Sequence, residues 1–445
     1  MLMLLAVVAV ILFVIATFKY PSLSLAAFLT TAFIKGALLY KFSFFRVVDY
    51  TVLCASLVLF AMAYSFISNY GRIKDILSAP VWLYLSLAVL LLFGTTYTSA
   101  PHYGFIKSSR FVTFGLIALL APVVFGKSTK DLKLMILIGL VCGIVLSIGT
   151  IIAPHAAVVR GDVKSRGSFL EASTLTTASN IAWSVIIFFV FLIMKDTPFR
   201  LRIVSLIMIP ALIVGMVLTG SRGPFIGIIL LMPIAMFVCK KRASKVWQPF
   251  VIAIMVVTFI MIFALLSEQL TSRISNMWKS SYDTSQAASS RTRLFSWAIE
   301  RIPERIIMGH GTGAWAVDWG GVDEQRYPHN MILEVLYEQG LVGLSVLLPF
   351  LYVIFRRWRQ SSGLINYYGL DTTLYLYTHI AGLLFLFSLF QAMKSGDLID
   401  NRAMFFCAGL VIAAFNLART YSEQVVSDEQ FYEGDIEPAK QTVEV

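Results

Sequence analysis

Residues 173–194 read STLTTASNIAWSVIIFFVFLIM. A run of this length without a charged side chain can cross a hydrocarbon core roughly 30 Å thick as a single helix, for which about 18 apolar residues suffice. Comparable apolar runs lie near residues 1–18, 22–40, 49–68, 80–98, 105–125, 131–153, 200–218, 223–239, 248–266, 330–355, 373–393 and 402–419. Of the 445 residues, 58% are hydrophobic and 14% charged, and the mean hydropathy is +0.79. Such a composition cannot furnish a soluble surface. Alternation of the kind a membrane barrel needs is absent, so the expected fold is all-α: a polytopic membrane protein of roughly 12–13 transmembrane helices.

The first run has no Lys or Arg before its apolar core and no small-residue cleavage site, so it reads as a retained span, not a removed signal peptide. Cys54, Cys142, Cys239 and Cys407 fall within or at the ends of spans without metal-ligand spacing, and read as small packing residues. Neither a fixed repeat nor a glycine-rich phosphate loop is present, which argues against an ATP-driven pump. No cofactor and no metal is expected.

Short basic connections mark the cytoplasmic face. Arg72 and Lys74; Lys127, Lys130 and Lys133; Lys195, Arg200 and Arg202; Lys240, Lys241, Arg242 and Lys245; and Arg356, Arg357 and Arg359 occupy alternate connections. The connections Ser99 to Phe105, Pro154 to Ala172, Thr219 to Gly223 and Ser267 to Pro328 then share the external side. Lys41 and Arg46 fit this scheme poorly, and Arg160, Lys164 and Arg166 are cations in a connection the charge rule places outside. The organisation expected is an N-terminal helical part over 1–266, a large polar external loop over 267–328, a C-terminal helical part over 329–419, and a disordered acidic cytoplasmic tail over 420–445.

Several residues could carry chemistry on the external side. Arg222 sits in the tight turn Leu218-Thr219-Gly220-Ser221-Arg222-Gly223-Pro224. Its forked, permanent charge suits a phosphate or diphosphate, although an arginine snorkelling to headgroups would look the same. Arg166, beside Gly167, is a second external guanidinium. Lys107 and Arg110 add charge at headgroup depth, as substrate contacts or as interface anchors. His329 precedes Asn330, a favoured N-cap. An imidazole at the positive end of a helix stays neutral more readily and so can accept a proton. Upstream, residues 291–302 read as an amphipathic helix with Leu294, Phe295, Ala298, Ile299 and Ile302 on one side. Gly309-His310-Gly311-Thr312-Gly313-Ala314-Trp315 is a bendable loop ending in an aromatic, suited equally to sugar stacking and to ordinary packing.

In order and spacing, Gly220-Ser221-Arg222-Gly223, Arg291 with Trp297, Gly309-x-Gly311-x-Gly313, His329-Asn330-x-x-Leu333 and Glu338-x-Gly340-Leu341-x-Gly343 resemble the superfamily of O-antigen ligases and Wzy-type polymerases. The resemblance is densest from Leu218 to Leu344, and Arg166-Gly167-Ser168-Phe169 looks like that family's earlier Arg-Gly motif. It implies a bacterial inner-membrane glycosyltransferase that moves a glycan from a polyprenyl diphosphate carrier to an acceptor hydroxyl on the external face, in surface polysaccharide biosynthesis. It also implies that His329 and Arg222 are catalytic and that Arg166, Arg291 and Glu338 contact substrate, to which the charge of Lys107 and Arg110 near the external end of their span adds two further candidate substrate contacts. The expected partners are the lipid-linked glycan donor, a glycan or lipid-glycan acceptor and membrane lipid, with no nucleic acid. Two other classes compete, a transporter of lipid-linked glycan or small molecules and a noncatalytic envelope scaffold. A transporter predicts mid-span ionisable residues and internal repeats, whereas most charges here lie at span ends.

Overall fold

The computed structural model describes residues 12–41, 44–68, 76–152, 155–159, 162–168, 173–250, 252–253, 256 and 290–436. Its main helices are α1 (Ser22–Lys41), α2 (Tyr50–Ser68), α3 (Ala79–Gly94), α4 (Pro101–Phe125), α5 (Thr129–Ile152), α6 (Thr174–Ile193), α7 (Phe199–Leu218), α8 (Arg222–Cys239), α9 (Ser290–Arg301), α10 (Trp315–Gly320), α11 (Met331–Tyr367), α12 (Thr372–Ala392) and α13 (Arg402–Ile436). Among the described residues nine helices are long and apolar enough to cross a membrane, namely α2, α4 to α8 and α11 to α13, while α1 and α3 contribute shorter apolar stretches. The expected span near 248–266, residues 267–289, Arg72 and Lys74, and the tail beyond Ile436 lie wholly or largely outside the described residues.

Residues 174–193 form the central helix, α6. From Ile181 to Ile193 every residue of α6 is buried, because an all-round apolar helix can be satisfied only by neighbours on every side. Those neighbours are α5, α7, α8 and α12. On α5, Gly143 lets the backbones close up: a Cβ there would lie 2.4 Å from the Asn180 carbonyl oxygen of α6. Close by, the Ser184 hydroxyl donates to the Leu140 carbonyl at 2.8 Å. Where lipid is as apolar as leucine, small residues and interhelical hydrogen bonds supply the association. A second group forms around α13, which packs on α4, α11 and α12.

Three expectations change. The connection Pro154 to Ala172 contains an antiparallel hairpin, strands β1 (His155–Val159) and β2 (Asp162–Ser168), with Val158 opposite Val163; the β-branched valines favour extended pairing over coil. The chain beyond Arg419, expected to be disordered, continues α13 as helix to Ile436. An Arg419–Glu423 pair at 2.7 Å one turn apart supports it. Finally, the described part of the polar loop folds back on the bundle. The buried side of α9 and the turn that follows it is built from Leu294, Trp297, Ala298 and Ile302, while Ile299, expected on that side, is 60% exposed.

Candidate functional site

The connection 393–401, from the end of α12 to the start of α13, meets the head of α8 at Gly223 and the head of α11 at Glu334, so these helix ends lie together. At the head of α11 the Asn330 side chain accepts from the Leu333 amide at 3.0 Å, the N-cap expected from the sequence. His329 just before it has φ 60, the one positive-φ non-glycine among the described residues. Such a conformation is held against a local steric cost and clusters at functional positions. The imidazole is half-buried, with its ring centroid 4.6 Å from that of Tyr327.

Arg222 is the first residue of α8 and is likewise half-buried. Beside it Gly223 has no room for a side chain, since a Cβ would fall 2.0 Å from the Lys394 ammonium. The next residue, Ser395, lines a cavity of about 490 Å³ together with Tyr327, Gln391, Asn401, Arg402 and Asn180. The cavity is thus flanked by Lys394, next to Ser395 and against Gly223, and by His329, whose ring meets that of Tyr327. Both polar atoms of the Gln391 amide are buried without a hydrogen-bond partner. Since buried amides are ordinarily satisfied, a polar occupant fits this cavity better than an alkyl chain.

Behind the cavity is a charge cluster inside the bundle. Lys107 on α4 is fully buried and meets three carboxylates: Glu338, with both oxygens at 2.8 Å, Asp397 at 3.4 Å, and Glu334. Tyr103 donates to Asp397, and the Leu398 amide donates to Glu334 at 3.1 Å. Burial would raise the Asp397 carboxyl, but Lys107 and hydrogen bonds involving Glu334, Tyr103 and the Ile399 backbone hold it below the ordinary aspartate value. The cluster joins α4, α11 and the 393–401 connection, which fixes the head of α11, and with it His329, relative to Lys394.

The glycine-rich loop clamps the same region from the other side. Helix α11 breaks at Gly340 (φ 61, ψ −156), and its released backbone groups find partners in the loop. The His310 and Gly311 amides donate to the Tyr337 and Glu338 carbonyls at 2.9 Å. In return the Leu341 and Val342 amides donate to Ile306 and Ile307 at 2.8 and 3.1 Å. Non-helical backbone at membrane depth needs this kind of re-satisfaction. Trp315 is completely buried against Trp297 and Tyr337, so of the two readings of its loop, packing is the one realised. Downstream, Asp323 accepts from the His102 and Tyr103 amides at 2.9 and 2.8 Å and caps the start of α4.

Of the residues singled out from sequence, the structure brings Arg222 and His329 to the same end of the bundle. Lys107 and Glu338 are joined in one ion pair, so the lysine charge is already met inside the protein. Arg110 is exposed on α4 and acts electrostatically on Asp400 and Arg402. Arg166 lies on β2 and Arg291 in the first turn of α9, with their side chains outside the described residues. Glu334, Gln391, Lys394 and Asp397 were not anticipated. The signal for the last three was a short connection between two spans, QAMKSGDLID over 391–400, carrying more charge than a simple turn requires.

Residues 211–348 match the family model Wzy_C, described as O-antigen ligase, a region spanning α8, the glycine loop and the head of α11. No curated protein matches the chain.

Proposed function

We propose that this chain, whose residues 211–348 match the O-antigen ligase family model, acts in surface polysaccharide biosynthesis and moves a glycan from a polyprenyl diphosphate to an acceptor hydroxyl at the membrane end that holds Arg222 and His329. The observation that supports the reading is a cavity lined by Ser395 and Tyr327 that has Lys394 and the Arg222 turn on one flank and the strained His329 on the other. In this reading His329 takes the proton from the acceptor hydroxyl. The acceptor oxygen bonds to the anomeric carbon as the bond from that carbon to the diphosphate oxygen breaks, and the electron pair departs with the diphosphate. Arg222, Arg166 and Lys394 neutralise the charge that develops there, interactions that strengthen in the transition state and so accelerate the step.

The remaining candidates take supporting roles. Lys107 and Glu338 position α11, while Arg110 and Arg291 guide the anionic donor toward the site. The energy lies in the glycosyl diphosphate bond, consistent with the missing nucleotide motif. The active end faces outside the bacterial inner membrane by the charge rule.

Reconstituting the purified protein in liposomes with a polyprenyl-diphosphate glycan tests the reading. Arg222→Ala and His329→Ala should abolish transfer with insertion and abundance intact, and Arg222→Lys should fail as well, because an ammonium cannot replace forked recognition. A fully active His329→Ala protein would remove the proposed base. Extended glycan as product indicates a polymerase, and glycan on a different acceptor lipid a ligase.

A further inference from the structure

We infer that the opposite membrane end carries a binding site for the phosphodiester headgroup of an anionic phospholipid, built where α8 ends against α11 and α12. A cavity of about 520 Å³ opens there. Lys240, Lys241 and Arg359 stand on its rim, all exposed. None of the three meets a carboxylate within ion-pair distance among the described residues. Their neighbour Arg242 differs, since it lies over the Tyr375 ring and faces Asp196 at 3.9 Å. The rim charge is therefore surplus. The Lys240 ammonium rests 4.4 Å from the Phe237 ring centroid, which holds it at the mouth.

The floor is polar and organised. The Trp358 indole donates to His379 Nδ1 at 3.3 Å, and Ser362 Oγ lies 3.3 Å from His379 Nε2. With Nδ1 accepting, the neutral ring carries its proton on Nε2 and donates to Ser362 Oγ. The Ser362 and Asn366 side chains in turn hydrogen-bond Tyr375, so the floor is a connected polar network. Nothing lies within 4 Å of the place where a Gly363 Cβ would be, so the space is open on that side.

A membrane lipid is favoured over a soluble anion by the walls. Phe237 and Phe355, 68% and 39% exposed, belong to membrane-spanning helices and lead from the basic rim along the surface that faces acyl chains. Cations above and apolar surface below match a phosphodiester joined to hydrocarbon. By the charge rule this is also the cytoplasmic face, where anionic lipid attracts clustered Lys and Arg. Each rim cation contributes roughly fivefold in affinity, so three contribute on the order of 100-fold.

The test titrates the full-length protein in neutral detergent with short-chain phosphatidylglycerol, with phosphatidylcholine of the same acyl length, and with inorganic phosphate, following tryptophan fluorescence and the thermal midpoint. Saturable binding of phosphatidylglycerol is expected, weakened about 100-fold in Lys240→Gln/Lys241→Gln/Arg359→Gln. Lys240→Gln, Lys241→Gln and Arg359→Gln taken singly should each bind roughly fivefold less tightly with the unfolding midpoint unchanged, which keeps the test decisive if the triple variant folds poorly. Equal binding of phosphatidylcholine, or wild-type affinity in these variants, overturns the site. Competition by millimolar phosphate as effective as that by lipid overturns the lipid assignment and leaves a free-anion site.

Discussion

Replacing Lys107 by methionine should be among the most destabilising single changes in the bundle, and its cost should depend on pH. Methionine matches the aliphatic stem, so packing is largely kept. What is lost is the cation that meets Glu334, Glu338 and Asp397 in a site without solvent. Removing one partner of a buried ion pair costs about 3–5 kcal/mol because the other charge is stranded. A second route gives the same scale. A stranded glutamate can escape by protonating, and a carboxyl of ordinary acidity costs about 1.4 kcal/mol per pH unit to keep neutral, or ~3.7 kcal/mol at pH 7 and ~1 kcal/mol at pH 5. Reversible unfolding in mixed micelles, titrated with a denaturing detergent and followed by circular dichroism, should therefore show Lys107→Met losing about 3–5 kcal/mol at pH 7 and markedly less at pH 5. Lys107→Met/Glu338→Gln should recover part of the loss. An equal deficit at both pH values would refute the stranded-carboxylate argument, and wild-type stability at pH 7 would refute the importance of the cluster altogether.

Glycine substitutions should separate into two groups. Gly340→Ala places a Cβ 2.3 Å from the Ile307 carbonyl oxygen at φ +61 and should cost more than ~3 kcal/mol; Gly369→Ala, at φ +62 but with nothing within 4 Å, should cost only about 1–2 kcal/mol in the same unfolding assay. Gly223→Ala meets only the mobile end of Lys394, so stability should stay within about 0.5 kcal/mol while glycan transfer falls at least about tenfold, and full activity would exclude Lys394 from the donor site. Asp397 gives an acid limb: its folded-state value lies below its unfolded one, so its stabilisation is complete above the ordinary aspartate value and is lost as pH falls through the folded value. Thermal midpoints measured down the acid range should show this loss, and Asp397→Asn should flatten it.

Much of the architecture was legible because a bilayer leaves few choices. Length and apolarity alone locate a span, and 173–194, 199–218 and 372–392 appear within a residue or so of where the sequence puts them. Local chemistry was legible too: Asn330 caps α11, and Arg222 opens α8. Composition reads the acidic tail as solvated, whereas helical continuation from Arg419 to Ile436 depends on the helix already nucleated upstream.

The sequence by itself determined that this chain lives in a membrane, where its helices run, and which termini carry Arg222 and His329, since each of these follows from side chains close together in the chain. Only tertiary structure decided what those termini meet. Lys107 and Glu338, separated by 231 positions, form a pair that no local pattern announces, and the same connection that carries Asp397 to them also carries Lys394 to Gly223. The physical reason is that a buried charge is defined by its partners in space: periodicity tells a helix which medium surrounds it, but the neutralising carboxylate arrives from another helix.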